Sequence, residues 1–172
     1  MTLAQIPEGD WVVIDTNILI YANQGQSADS VEFLRRCASG MLQGLIPVPM
    51  VAELVHALML IEARENNWIE RQNPSRALAA RPDLVRRLTR YEIQVREFFG
   101  IGLRIEPALA GDILEAMRIQ RETGLLTNDA LLLAVARRLN CSSIASADKT
   151  IAAAPGFTVY APMDVQALSS SS

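Results

Sequence analysis

The feature of this sequence that most constrains its fold is a short apolar run that ends in a single carboxylate. Residues 11–14 are all apolar and mostly β-branched, and Asp15 follows them directly. A run without polar alternation is typical of a strand buried on both faces of a parallel sheet. Asp15 would then lie at the carboxyl end of that strand, which is the edge where open α/β sheets bind ligands. A buried carboxylate there needs a cation or hydrogen-bond donors, although an Asp in this position often only caps a turn.

The rest of the chain alternates between strand-like and helix-like segments. Further strands are predicted at residues 44–48, 101–105, 142–145 and 157–160, and helices at residues 27–38, 50–65, 83–99, 108–122, 129–139 and 148–154. Residues 21–26 are predicted as a polar loop, and residues 66–81 as a loop or a pair of frayed turns. This alternation predicts an α/β/α sandwich around a parallel sheet of about five strands. The 172 residues suit one domain, with a helical middle region at about 50–100 and a short tail at about 165–172.

Composition narrows the class of protein. A hydrophobic share of 50% indicates a globular chain, and a net charge of −3 gives no overall basic field that would indicate a nucleic-acid-binding protein. Glu53, His56 and Glu62 interrupt the longest apolar stretch, so no membrane span is expected. The first ten residues lack a signal-peptide pattern, and Cys37 and Cys141 suit free thiols in a reducing compartment. We therefore expect a cytoplasmic protein.

Four carboxylates stand out because each is predicted at a strand end or in the first turns of a helix: Asp15, Glu53, Asp129 and Asp148. In a parallel sheet with right-handed crossovers, these positions share one edge. Taken singly, each acid is more often structural, since a negative side chain also stabilises a helix N-terminus. Taken together, four acids on one edge would repel one another without a cation. A site made only of oxygen ligands suits Mg²⁺ or Mn²⁺, which support phosphoryl chemistry.

Residues 13–19, 51–54, 128–134 and 144–148 resemble, in order and spacing, the motifs of PIN-domain ribonucleases of the VapC-like toxin kind. Two features depart from the family pattern. Ser146 and Ile151 stand where the family often has Thr and an aromatic residue, and residues 66–81 lengthen the helical middle region. Because Ser keeps the hydroxyl group, the first departure leaves the expected chemistry intact.

The resemblance implies a PIN-like fold and a metal-dependent endoribonuclease. It implies that the four acids hold Mg²⁺ or Mn²⁺, directly or through water, while Asn17 and Ser146 orient a carboxylate or a water molecule. A metal-activated water would attack the phosphodiester and leave a 5′-phosphate and a 3′-hydroxyl. The family's toxins pair with a small antitoxin and are commonly homodimers, so RNA, an antitoxin and a second copy are the expected partners.

Alternatives to this interpretation stay open. The chain could be a PIN nuclease of RNA processing without an antitoxin, and an antitoxin reading frame beside the gene would separate that case from a toxin. It could also be a binding module with a decayed site, although the presence of all four acids argues against decay. A phosphatase with an aspartyl nucleophile is set aside, because it needs a second Asp two residues after the first, where Asn17 stands.

A few residues have weaker functional indications. Trp68 could stack on RNA bases, whereas Trp11 is expected at the edge of the core. His56 is expected to be buried or at an interface. Five arginines could line an RNA groove or an antitoxin groove, but a solvated face explains them as well: Arg71, Arg76, Arg81, Arg86 and Arg87.

Overall fold

Five parallel strands form one sheet in the computed structural model, which describes residues 1–70 and 72–165. The strands are β1 (Trp11–Ile14), β2 (Gln43–Pro47), β3 (Arg104–Glu106), β4 (Ser143–Ala145) and β5 (Thr158–Tyr160). Their order across the sheet is β3-β2-β1-β4-β5, and every neighbouring pair is parallel. In the central register Val13 lies opposite Leu45 of β2 and Ile144 of β4. The predicted α/β sandwich with about five strands is therefore confirmed.

Helices connect and cover these strands. Within the described residues they are α1 (Thr16–Asn23), α2 (Ala28–Ala38), α3 (Val48–Glu65), α4 (Pro74–Ala79), α5 (Pro82–Val85), α6 (Arg90–Gly100), α7 (Ala110–Thr123) and α8 (Thr127–Arg138). Two short 3₁₀ helices span Leu3–Gln5 and Ile151–Ala153. No helix in this described part is long and apolar enough to span a bilayer. The prediction for Arg71 and nearly all of the predicted tail lie outside the described residues.

The main core lies around β1. Val12, Val13 and Ile14 are fully buried, as a run without polar alternation predicts. Fully burying one such side chain contributes about 1.5–3 kcal/mol to folding. Residues 130–136 of α8 are buried as well, which explains why that helix carries no polar stripe in its middle. The strand β1, which ends just before Asp15, and the helix α8, which carries Asp129 in its first turn, are thus both deeply buried.

A second, smaller hydrophobic cluster lies beside the end of α3. Its buried members are Ala63, Leu78, Leu84 and Leu88, contributed by α3, α4, α5 and the turn after α5. The helix α4 lies in the segment predicted as a loop or a pair of frayed turns, so that prediction for residues 66–81 is wrong at Pro74–Ala79. Local burial of Leu78 explains the difference, because packing supplies order that a polar sequence pattern does not reveal.

The predicted helix at residues 83–99 is wrong in one respect, because two helices occupy it. The break falls at residues 86–89, and the Glu62 carboxylate of α3 accepts hydrogen bonds there from the backbone N–H groups of Thr89 (3.0 Å) and Tyr91 (2.9 Å). Glu62 thus supplies from another helix the cap that starts α6.

Two smaller predictions also need correction. The loop predicted at residues 21–26 begins later, because α1 continues to Asn23 with Ile18 and Leu19 buried on one side. The helix predicted at residues 148–154 is only the 3₁₀ turn Ile151–Ala153.

Candidate active site

The order of the strands creates a crevice between β1 and β4. The chain runs from β1 outward through β2 to β3, and then returns to the other side of β1 to form β4. Open α/β sheets bind ligands at such a switch point, outside the carboxyl ends of the strands. Asp15 follows β1 and Ser146 follows β4, and the backbone N–H of Asp15 donates to the carbonyl of Ala145 (2.9 Å). Both side chains therefore stand at the switch point.

The carboxylate of Asp15 is held by two donors. Its Oδ2 accepts hydrogen bonds from Asn17 Nδ2 (2.5 Å) and from Ser146 Oγ (2.6 Å), and Asp15 is only 7% exposed. Asn17 Oδ1 accepts in turn from the backbone N–H of Ala147 (3.1 Å). Asn17 thus bridges the first turn of α1 to the loop after β4, and it fixes the orientation of the Asp15 side chain.

The electrostatics of Asp15 reflect burial and crowding. Burial raises the pKa of Asp15 to about 6; the hydrogen bond from Ser146 opposes this, and the charges of Asp129 and Glu53 add to it. Burial also raises the pKa of Asp129, and the charges of Asp148 and Glu53 raise it further. Asp129 is therefore close enough to interact with each of the other three acids, and Glu53 also interacts with Asp15.

Glu53 and Asp148 are held by neighbours of their own. Glu53 is exposed in the second turn of α3, and its Oε2 accepts a hydrogen bond from Asn128 Nδ2 (2.8 Å). Asp148 Oδ1 accepts from the backbone N–H (2.7 Å) and the hydroxyl (2.8 Å) of Thr150. The backbone N–H of Asp148 donates to Ser146 Oγ (3.0 Å), so the serine hydroxyl connects Asp15 with Asp148.

The sequence does not predict the contact of Asn128 with Glu53. Asn128 precedes Asp129 in the first turn of α8, and its amide reaches across to Glu53 of α3. Its place beside a predicted site acid was visible in the sequence. The proximity of α3 and α8 was not, because no local pattern specifies which helices are neighbours.

The chemistry of the donor set fits a hard divalent cation. The four acids offer only oxygen, two of them are partly desolvated, and their mutual repulsion favours a positive charge among them. As placed, however, no group of three or more His, Cys, Asp or Glu side chains within residues 1–70 and 72–165 is arranged to hold a metal ion. Hydrogen bonds from Asn17, Ser146, Asn128 and Thr150 engage the carboxylates of Asp15, Glu53 and Asp148 instead.

The residues with weaker indications lie elsewhere. His56 is exposed, so it is not buried within the chain; the alternative that it lies at an interface stays a prediction, and its Nε2 lies 3.0 Å from Ser75 Oγ of α4. Trp11 is 45% exposed at the amino end of β1, opposite to the edge that carries Asp15. Arg81 pairs with Asp83 (3.2 Å).

Structural comparison finds the same fold in solved proteins of low sequence identity. A toxin–antitoxin complex from Klebsiella pneumoniae matches with a TM-score of 0.54 and 18% identity, over 86% of this chain and 95% of the other. VapBC2 from Rickettsia felis, bound to a DNA fragment from its promoter, matches with a TM-score of 0.59 and 15% identity, over 88% and 98%. A protein from Pyrobaculum aerophilum matches with a TM-score of 0.52 and 14% identity, over 87% and 90%.

Sequence comparison identifies the family. No curated protein sequence matches this chain. The family model described as PIN domain matches residues 12–156, a range that begins within β1 and includes all four acids. Since this match covers well over half of the 172 residues, the chain belongs to the PIN domain family.

Proposed function

We propose that this protein is a Mg²⁺- or Mn²⁺-dependent endoribonuclease and the toxin of a toxin–antitoxin pair. The observation that carries the proposal is the convergence of Asp15, Glu53, Asp129 and Asp148 near the switch point of the sheet, where burial and, after it, the charges of neighbouring acids raise the pKa of Asp15 and of Asp129. Surface acids that serve only as helix caps have no reason to gather in one crevice. Membership of the PIN domain family supports nuclease chemistry at this edge.

In this proposal the acids of the crevice bind the cation, and their hydrogen-bond partners orient the acids. Asp15, Glu53, Asp129 and Asp148 would hold the cation. When bound there, a divalent cation supplies charge neutralisation at the scissile phosphate and lowers the pKa of a water. Asn17 and Ser146 keep the Asp15 carboxylate in one orientation through Oδ2, and such outer contacts commonly set metal affinity. Asn128 does the same for Glu53.

The proposed products follow from attack by water on the phosphorus. Cleavage leaves a 5′-phosphate and a 3′-hydroxyl, because the oxygen of the water stays on phosphorus and the 3′-oxygen departs with a proton. A carboxylate binds a cation in its ionised form, so the raised pKa of Asp15 and of Asp129 makes cation binding weaker at low pH.

An antitoxin partner is part of the proposal. Two of the structurally similar proteins are described as a toxin–antitoxin complex and as VapBC2, and this chain spans nearly their whole length. A small protein that blocks the acidic crevice would keep the nuclease inactive in the cell. Harmless expression of the wild-type chain without a partner would contradict the toxin role.

A homodimer is also proposed, with α7 as its surface. Ile113, Leu114 and Met117 are exposed at helical spacing on this helix, and Leu109 extends the stripe at its start. A contiguous apolar stripe on an outer helix favours association with another protein surface.

The decisive experiment is an RNA cleavage assay with added Mg²⁺ or Mn²⁺, with and without EDTA. We expect the wild type to cut single-stranded RNA only without EDTA, and Asp15→Asn to be inactive. Asp10→Asn is the matched control, since Asp10 lies just before the amino end of the same strand. Cleavage that survives EDTA, or activity of Asp15→Asn equal to that of Asp10→Asn, would refute the assignment.

A further inference from the structure

A cavity of about 1060 Å³ lies away from the acidic edge, between the far ends of α1 and α3. Tyr21 and Gln24 line it from the α1 side, and Arg64, Asn67 and Trp68 line it from the end of α3 and the turn that follows. Pockets that hold small ligands typically measure about 300–1,000 Å³. The cavity therefore has room for a nucleobase together with its sugar and phosphate.

The two helices that reach this cavity both start at the acidic edge. α1 begins directly after Asp15, and α3 carries Glu53 in its second turn. At 1.5 Å per residue, Tyr21 lies about 9 Å along α1 from Asp15, and Arg64 lies about 16 Å along α3 from Glu53. At about 3.4 Å per stacked nucleotide, these two distances correspond to roughly three and five nucleotides. A strand bound at the acids can thus extend into the cavity.

The main aromatic residue of the lining is Trp68, whose indole ring could stack on a base. The Trp68 indole is partly buried against the second hydrophobic cluster, and the Arg87 guanidinium lies over its ring at 4.5 Å from the centroid. The cluster and the arginine together fix the plane of the indole. Tyr21 adds a second ring to the same cavity. Proteins that bind single-stranded nucleic acid commonly stack bases on such rings.

The polar part of the lining favours a polar ligand such as RNA over an apolar peptide. Gln24 and Asn67 offer amide donors and acceptors, Glu65 and Glu70 offer carboxylates, and Arg64 offers a positive charge. Base edges can pair with these groups. An apolar peptide segment would instead leave them without partners, at a cost in free energy.

We propose that this cavity is a base-recognition subsite, in which a nucleobase of single-stranded RNA, some three to five nucleotides from the scissile phosphate, stacks on Trp68. The subsite rests on the proposed nuclease function. It gives the enzyme a preference for sequence or length at a distance from the bond that is cut.

The kinetic test compares a dodecanucleotide of RNA with a tetranucleotide followed only at its central bond, where two nucleotides on each side are too few to reach the cavity. Trp68→Leu is expected to raise KM for the dodecanucleotide about tenfold with kcat unchanged, and to leave the tetranucleotide kinetics as in the wild type. Trp68→Phe keeps a ring and should stay near the wild-type KM. Trp11→Leu is the matched control, because Trp11 also has an arginine over its ring, Arg104 at 5.5 Å, but lies at the opposite edge of the sheet.

A second measurement leaves Trp68 in place, so it does not depend on how well the Trp68 variants fold. The sequence contains two tryptophans, so the double variant Asp15→Asn/Trp11→Phe reports Trp68 alone. The dodecanucleotide should quench this fluorescence by stacking, and the tetranucleotide should not.

The outcomes separate the subsite from the nuclease. If the wild type cleaves both oligonucleotides and Trp68→Leu has an unchanged KM for the longer one, the subsite is refuted and the nuclease stands. If the wild type cleaves neither, the proposed function fails, and the quenching experiment decides the subsite by itself. If Trp68→Leu weakens only the binding of a protein partner, the cavity belongs to that partner and the proposal is overturned.

Discussion

At the scale of single residues, Asp15 is the clearest case in which a functional requirement opposes stability. Its pKa is raised from 3.8 to about 6, chiefly by burial. Above about pH 6 the Asp15 carboxyl group is charged in the folded state, although it ionises more easily in the unfolded chain. The raised pKa therefore lowers the free energy of unfolding at neutral pH by about 3 kcal/mol, and this loss disappears as the pH falls toward 4.

We expect Asp15→Asn to raise the free energy of unfolding by about 1–3 kcal/mol at pH 7.5 in EDTA. In the cleavage assay with added metal, the same substitution should abolish activity. The gain should shrink as the pH is lowered through about 6 toward 4. Urea unfolding at several pH values measures it. A variant less stable than the wild type at pH 7.5 would show that the two hydrogen bonds on Oδ2 outweigh the cost of the buried charge.

Asn128 provides a second prediction for a single residue. Its amide donates to Glu53 Oε2 across two helices at 2.8 Å. Asn128→Ala should lower kcat/KM about three- to tenfold and raise the Mg²⁺ concentration needed for half-maximal cleavage, because Glu53 loses the contact that orients it. Metal titrations of cleavage by the variant measure both quantities. An unchanged metal requirement would mean that Glu53 is oriented without Asn128.

At the scale of whole elements, the start of α6 depends on a residue of α3. Glu62 is 4% exposed and accepts from the backbone N–H groups of Thr89 and Tyr91. Burial raises its pKa, but the backbone donors of Thr89, Tyr91 and Arg90 and the Arg90 charge lower it by more, so the pKa lies below its ordinary value. Glu62 therefore stabilises the fold above the ordinary Glu pKa, and this contribution is lost as the pH falls through the lowered value.

Glu62→Gln should lower the free energy of unfolding by about 1–2 kcal/mol at pH 7, and by less below about pH 4. Thermal unfolding at both pH values measures the difference. Glu65→Gln is a suitable control, because Glu65 pairs with Arg90 at the exposed surface, where such pairs contribute little. Equal effects of the two substitutions would contradict the capping role of Glu62.

The exposed face of α7 leads to a prediction about assembly. Leu114 is 69% exposed within the apolar stripe, whereas Ile93, which is 58% exposed, lies on α6. If α7 forms the dimer surface, Leu114→Arg should yield monomers in sedimentation experiments and Ile93→Arg should not. Wild-type protein that sediments as a monomer would refute the homodimer.

At the scale of the whole molecule, the open question is whether the second hydrophobic cluster folds together with the main core. The cluster shares α3 with the core, and Glu62 binds it to α6, so we expect one cooperative unfolding transition. Circular dichroism and tryptophan fluorescence, followed in the same urea titration, should give coincident curves. Two separate midpoints would show that residues 66–90 form an independent unit.

How far the sequence predicts this structure depends on how local each signal is. The unbroken apolar run before Asp15 predicts a strand buried on both faces of the sheet, and the structure confirms it, because this signal lies within the strand itself. The break before α6 was not predicted, because the cap comes from Glu62, more than twenty residues earlier in the chain. The same limit applies to Asn128, since no short segment of the sequence specifies that α3 and α8 are neighbours.

The order of the strands has a consequence for how the protein comes into being on the ribosome. Asp15 and Glu53 emerge early, whereas Asp129, Ser146 and Asp148 belong to the last third of the chain, and β4 must pair with β1 before Ser146 can reach Asp15. A nascent chain that ends at β3 therefore holds half of the acids and none of the crevice. The proposed site can therefore assemble only after β4 has been synthesised and has paired with β1.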